Sequence, residues 1–389
     1  MTRRVLLAWE MGEGLGHASR LLRLATRLRD LGWRPIVAAR ETAALADRYA
    51  AADIAVVPTP AHRSQYRGAA TFRPATFADM MGVCGYADRD ALAAVVGGWD
   101  AVLDEHRPDV AIADYSPLLS LAAFGRMPLI AIGDGFVTPP ETADGGFPPL
   151  GDSAQAVWEP AALLANAQAV QAGRGKARPD SLGAIMRGAG QVVSVAPEID
   201  IYAADRAIPA AGPWTVPAEG PPTPPDRRAF AYLRTDTPAA KMILEAAVEG
   251  GLAMEAHLPG AAPAFAARLE RAGCRVHDRP PPMEEILERC TLVIHHGGVG
   301  TLEAAAFAGR PQLLVPRQLE QRLNAKRALQ SLPGTVALSP SARPERMRKS
   351  LPGLLADDRL VAAARGTAVR LRRRHGDAWT ALLALIAGI

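Results

Sequence analysis

The chain has 389 residues, of which 49% are hydrophobic and 22% charged. These are ordinary globular proportions; they exclude disorder as the main state and fit two domains. The formal net charge of +4 is too mild for nucleic-acid binding. Cys84, Cys274 and Cys290 form no CxxC pair, which excludes a disulfide framework or zinc ribbon and fits a reducing cytoplasm.

Val5 to Trp9 is an apolar run that predicts a strand, too short for a signal segment. A glycine loop follows, Gly12-Glu13-Gly14-Leu15-Gly16-His17. Leu21, Leu24, Ala25, Leu28 and Leu31 then recur at the spacing of one buried helical face, with Gly32 as its stop. Ile36 to Ala39 is the next strand, and Ala61 to Asp90, rich in Gly, Pro and aromatics, predicts a long loop. Val110 to Ala113 and Leu129 to Ile132 are short buried strands around a helix near Leu118 to Phe124. Gly133 to Pro160 predicts a second long loop. Such alternation builds a parallel sheet covered by helices.

Proline crowds residues 209–225, so neither helix nor inner strand can run through them. The expected domains are 1–216, a linker at 217–227, a second domain at 228–372 and a closing helix at 373–389. The second half repeats the scheme. Phe230 to Leu233 is a strand, Ala239 to Glu249 and Met283 to Arg289 are helices, and Leu292 to Ile294 is a strand. A second glycine loop follows, His295-His296-Gly297-Gly298-Val299-Gly300-Thr301, then a helix over Leu302 to Ala308 and a strand at Leu313 to Val315. The basic run Arg365 to His375 reads as the polar face of a closing helix, with contact to a membrane surface left open. The apolar run Trp379 to Ile389 is far short of the roughly 20 residues that span a bilayer.

In open α/β sheets ligands sit at the carboxyl ends of the strands, so both glycine loops are candidate sites. A helix starting near Gly300 presents free N–H groups and partial positive charge, which suits a phosphate. His296 can donate to the same oxygens. Glu320 and Gln321 follow the next strand, and an acid beside an amide suits sugar hydroxyls. A tight strand–helix turn with no ligand is the plain alternative.

The stretch HHGGVGTLEAAAFAGRPQLLVPRQLEQ resembles the donor-binding signature of nucleotide-sugar glycosyltransferases of the GT-B fold, the family-1 and natural-product enzymes. More distantly it is similar to the bacterial peptidoglycan N-acetylglucosaminyltransferase. GLGHASRLLRLATRL resembles the N-terminal motif of the same family. The resemblance implies two Rossmann-like domains facing across a cleft. It implies sugar transfer from a UDP- or TDP-sugar to a hydroxyl or amine, with inversion and without metal or other cofactor, the donor being a co-substrate. Residue by residue, it implies that His296, Gly298, Gly300 and Thr301 hold the diphosphate and that Glu320 and Gln321 hold the donor sugar. His17 would be the general base and Asp114 the acid that orients it. The plain alternative is that both merely cap helices.

There are departures from the pattern. The family's ribose-binding glutamate falls at Ala304, with Glu303 one position earlier. Arg279 and Pro280 align with the nucleobase loop, which here lacks its Trp and Gln. Arg234 stands where Gly or Ser is usual; its guanidinium would pair with the diphosphate or remain a surface group. Asp88-Arg89-Asp90 matches the D-x-D metal signature of the other major glycosyltransferase fold, but its Ala-rich helical setting reads as a solvated face. No G-x-x-x-x-G-K-[ST] occurs, and a dinucleotide loop would need glycine where His17 stands. A 2-epimerase on the same fold and a non-catalytic donor-binding homologue are the competing readings. The acceptor, whether small molecule, lipid or peptide, and the oligomeric state are not written in these motifs.

Overall fold

A computed structural model describes residues 2–11, 15–40, 42–60, 72–151, 155–214, 221–222, 227–339, 342–374 and 376–389. Gly12 to Gly14, most of the 217–227 linker, residues 61–71 and His375 therefore lie outside the described residues. The chain divides into two compact units. The first comprises Met1–Ser194, Tyr202–Ala210 and Ala378–Ile389; the second comprises Val195–Ile201 and Ala211–Asp377.

The first unit runs β1 (Arg4–Trp9), α1 (Leu15–Asp30), β2 (Arg34–Ala39), α2 (Thr42–Ala50), β3 (Ala55–Pro58), α3 (Phe77–Met81), a π turn over Gly82–Tyr86 and α4 (Arg89–His106). It continues with β4 (Val110–Asp114), α5 (Pro117–Ala123), β5 (Leu129–Gly133), α6 (Pro160–Gly173), α7 (Leu182–Arg187) and β6 (Gly190–Val193). The sheet order is β3-β2-β1-β4-β5-β6, all parallel. Every residue of β4 and β5 is buried, as expected of strands covered on both faces.

The second unit runs β7 (Ala229–Tyr232), α8 (Pro238–Glu249), β8 (Met254–His257), α9 (Pro263–Arg271), β9 (Arg275–His277), α10 (Met283–Arg289) and β10 (Leu292–His295). Then come α11 (Val299–Phe307), β11 (Gln312–Leu314), α12 (Leu319–Ser331), β12 (Thr335–Ala337), α13 (Pro344–Ala356) and α14 (Asp358–Arg374). Its parallel sheet has the order β12-β11-β10-β7-β8-β9. Successive side chains take opposite faces. Ala229, Ala231, Leu292 and Ile294 join the cluster with Ile243 and Leu244, while Phe230 and Val293 pack with Ile286 and Leu287. The final helix α15 (Ala378–Ala387) belongs to the first unit. There Trp379 lies under the Arg27 guanidinium, and Leu385 would meet any side chain placed at Gly190.

The chain order reverses across each sheet between its first and fourth strands, β1 and β4 in one unit, β7 and β10 in the other. Ligands of open α/β sheets bind at such switch points.

Two details depart from the sequence expectations. Leu31 is 57% exposed, because the turn at Gly32, φ +87°, takes it off the buried helical face. Within the long loop expected at Ala61–Asp90, Phe77–Tyr86 is helical: Thr76 caps α3, and the π turn, with Gly85 at φ +120°, continues it towards α4. The glycines mask that periodicity. The D-x-D triplet has the helical, solvated setting expected of it: Asp88 caps α4 by accepting the N–H groups of Asp90 and Ala91, and all three residues are exposed. Among the described residues no helix is long and apolar enough to cross a membrane.

Arg310 is a buried cation whose Nε donates to Leu287 O at 2.8 Å and whose terminal nitrogen donates to Pro222 O at 2.6 Å. Burial, then the Arg365 charge, pushes its pKa down to about 10. Arg310→Met takes the donor from the carbonyl of buried Leu287, at ~1–3 kcal/mol. We expect the second unit to lose about 2 kcal/mol of stability, read as a lower urea midpoint. An unchanged midpoint would show that the Arg310 bonds contribute nothing net.

Candidate functional site

At the first unit's switch point, α1 carries His17 and Arg20 three residues apart on one face, and β4 ends on Asp114. Asp114 is fully buried. His17 Nδ1 lies 2.9 Å from its Oδ1, and one Arg20 nitrogen lies 3.0 Å from each carboxylate oxygen. An ionised carboxylate only accepts, so Nδ1 carries the hydrogen and Nε2 is the basic nitrogen. The Trp9 indole stacks on the imidazole at 5.5 Å and 13°. Tyr115 packs beside it at 6.3 Å from a left-handed backbone, φ +51°, an uncommon conformation for a non-glycine residue.

Charges balance around this group. For Asp114, burial works against ionisation, but Arg20 and then His17 outweigh it and hold the carboxyl below its usual range. For His17, burial opposes the imidazolium, but the charge and hydrogen bond of Asp114 prevail, Arg20 takes part of that gain back, and the net shift is upward. Asp134, one residue beyond β5, is also buried and accepts from Val137 N at 3.3 Å. Burial raises its pKa, against the pull of Arg20 and His17. Glu10 is buried two steps before the glycine loop. It takes the Trp99 indole N–H and the N–H groups of Leu118 and Leu119, and burial pushes it up to about 7 despite them. Sequence reasoning gave Glu10, Arg20 and Asp134 no role. Only Arg20 carried a signal, its spacing from His17.

In the second unit β10 delivers two histidines into the turn before α11. His295 Nε2 lies 2.8 Å from Gln312 Oε1, and its Nδ1 accepts from Gly297 N at 3.1 Å. His296 is set the other way: Nδ1 lies 2.7 Å from Val315 O, and Nε2 accepts from Arg234 N at 2.8 Å. The partners dictate opposite tautomers, both neutral. Burial pushes His295 down to about 4 and lowers His296 as well. In this arrangement His296 has no N–H left for a phosphate. It ties the end of β7 to the end of β11 instead.

Gly297 has φ +90°, and a side chain there would press on Gln321 O at 3.2 Å. Asn324 Nδ2 donates to Gly297 O at 3.0 Å, anchoring the loop from α12. Gly298 caps α11, with Gly300 and Thr301 in its first turn; a Cβ on Gly298 or Gly300 would meet nothing within 4 Å. The N-terminal end of α11 is therefore approachable. Gln321 is buried, and its Oε1 accepts from Arg317 N at 2.9 Å and Gln318 N at 3.4 Å as part of a capping box on α12. Glu320, in the same first turn, is half-buried. Glu303 Oε1 accepts from Ala196 N at 2.8 Å, an internal tie of the second unit. Arg234 is half-exposed just past β7. Arg279 and Pro280 are exposed in the turn between β9 and α10. Among the described residues no three His, Cys, Asp or Glu side chains gather as a metal site requires.

The pKa of His17 follows the charges beside it. Asp114→Asn is expected to lower it and Arg20→Gln to raise it, by removing charges of opposite sign. The imidazole C2-proton resonance followed against pH reads both, and shifts of the same sign would contradict this balance. Because the folded pKa lies above the ordinary 6.5, the His17–Asp114 contribution to stability is complete below pH 6.5. It fades as pH rises through the folded value.

Residues 271–377 match the family described as Erythromycin biosynthesis protein CIII-like, C-terminal domain. The elloramycin glycosyltransferase of Streptomyces olivaceus is 35% identical over 91 residues, 23% of this chain and 22% of that protein. The 3-alpha-mycarosylerythronolide B desosaminyl transferase of Saccharopolyspora erythraea is 32% identical over 91 residues, 23% of this chain and 21% of that protein. The chain thus aligns with about a fifth of the length of these curated relatives. Among solved structures, the glycotransferase of kitacinnamycin superposes with a TM-score of 0.70 at 17% identity over 98% of both chains. The glycosyltransferase VinC in complex with DTDP does so with 0.67 at 16% identity over 99% of this chain and 98% of that one. The chain has the GT-B fold of these glycosyltransferase structures, and residues 271–377 of its second unit match the EryCIII-like C-terminal domain.

Proposed function

We propose that the protein is a glycosyltransferase that moves a sugar from a nucleoside-diphosphate donor to a hydroxyl or amine acceptor, with inversion and without a metal ion. The observation that carries this reading is the His17–Asp114 pair, a histidine with its Nδ1 hydrogen given to a buried carboxylate and its Nε2 basic. The glycosyltransferase relatives support the reaction class. A TDP-sugar is favoured over a UDP-sugar by the nucleotides in two neighbours, DTDP in VinC and thymidine diphosphate in the spinosyn rhamnosyltransferase SpnG.

In this mechanism His17 Nε2 takes the acceptor proton as the acceptor atom attacks the anomeric carbon, and Asp114 stabilises the imidazolium that forms. The new bond to the anomeric carbon forms as the bond to the diphosphate oxygen breaks, through an oxocarbenium-like state. The departing diphosphate gains negative charge. The N-terminal end of α11, at Gly298, Gly300 and Thr301, and the Arg234 guanidinium face that charge in the second unit. Glu320 accepts from the donor-sugar hydroxyls. His296 and Gln321 act at one remove, through the backbones they hold.

Incubation with a TDP-sugar and candidate acceptors in EDTA is expected to give a transfer product of inverted anomeric configuration. His17→Ala should lower turnover by about 100-fold or more. Loss of activity on chelation would remove the metal-free mechanism, and an epimerised donor with no transfer would move the assignment to a 2-epimerase. Full turnover in His17→Ala would end the role of His17 as base.

A further inference from the structure

Two of the residues that the donor-site motif offers for ligand contact, His296 and Gln321, spend polar atoms on the backbones of two arginines. His296 Nε2 holds the Arg234 N–H at 2.8 Å, and Gln321 Oε1 holds the Arg317 N–H at 2.9 Å. Arg234 lies just past β7 and Arg317 just past β11, on either side of β10 and its loop. The Nδ1 hydrogen of His296 goes to Val315 O, two residues before Arg317, so one neutral imidazole links both arginine-bearing strand ends.

The two guanidiniums converge on one carboxylate. Arg317 Nε lies 3.0 Å from Asp236 Oδ1, and Arg234 Nε lies 3.5 Å from Asp236 Oδ2. Both Arg317 and Asp236 act on the charge of His296, which places the cluster beside the loop. The side chains are open to water, Arg234 at 49%, Asp236 at 44% and Arg317 at 21%. Ion pairs open to water contribute little net stability, so the Asp236 carboxylate is readily exchanged for an anion of higher charge. Guanidinium forks match phosphate oxygens as well as they match a carboxylate.

We propose that Arg234 and Arg317 form a two-arginine site for the diphosphate of the donor, in which the Asp236 carboxylate stands in the anion's place and yields it on binding. This deepens the nucleotide-sugar reading and rests on it. Arg317 and Asp236 become binding-site residues, and His296 and Gln321 become positioning residues that fix where the two guanidiniums start.

Calorimetric titration of the intact chain with thymidine diphosphate and with inorganic pyrophosphate tests this. Arg317→Ala should weaken thymidine diphosphate binding by about tenfold. Asp236→Asn should tighten both ligands by about two- to fivefold, because it removes the competing charge. Gln321→Ala should weaken binding in the wild type and add nothing in Arg317→Ala, since it acts through that arginine; a merely structural role would cost the same in both backgrounds. Arg317→Ala binding like the wild type, Asp236→Asn binding no tighter, or additive Gln321 and Arg317 losses would each overturn the site. A wild type that binds no nucleoside diphosphate overturns the nucleotide-sugar reading itself, whereas a wild type that binds while the variants match it overturns only the arginine site.

Discussion

A carboxylate with no exposure to water is the constraint on which the first unit's site depends. Asp114 ends β4 fully buried, where an unpaired charge would cost several kcal/mol. Its ionised state requires partners, and α1 supplies two of them from one helical face, His17 and Arg20. That requirement sets the His17 tautomer, with its ring stacked on Trp9, and leaves Nε2 as the basic nitrogen. Arg20 and His17 draw on the same carboxylate, so the basicity of His17 is a balance rather than a maximum. Site chemistry and helix placement in this unit are therefore one problem with one solution.

The second unit uses buried polar side chains to a different end. His295 and His296 are adjacent, yet their partners impose opposite tautomers and burial keeps both uncharged. A neutral imidazole with one donor and one acceptor can join two backbone segments that cannot bond each other directly. Here it joins strand ends on both sides of β10. Gln321 and Asn324 do the same from α12. The loop itself is left with small residues and open space in front of Gly298 and Gly300. In the proposed donor site, the groups left to meet a large anion are the end of α11 and the arginines beside it.

Much of this was legible in the sequence, for physical reasons. Strands buried on both faces read as unbroken apolar runs, which is why β1, β4, β5, β7 and β10 stand out. The pairing of His17 with Asp114 followed from a resemblance, and the structure brings the two within 2.9 Å. Other features were not legible. The helical turns of Phe77–Tyr86 hide behind Gly82 and Gly85, and periodicity names the buried face of α15 but not the unit it packs on. The bonds of His296 involve Arg234, 62 positions earlier, and Val315, 19 positions later, separations that no local pattern encodes. Glu303 binds Ala196 across 107 positions for the same reason.

The central claim is a division of labour, with His17 kept available as a base while His295 and His296 are spent on backbone. A long-range nitrogen–proton correlation spectrum of the imidazoles at pH 7 tests it most directly. The account predicts a neutral His295 with its hydrogen on Nε2, a neutral His296 with its hydrogen on Nδ1, and a His17 that gains its second proton at a higher pH than either of the others, because Asp114 holds its pKa above the ordinary imidazole value. A His296 carrying hydrogen on Nε2, or protonating together with His17, would contradict it.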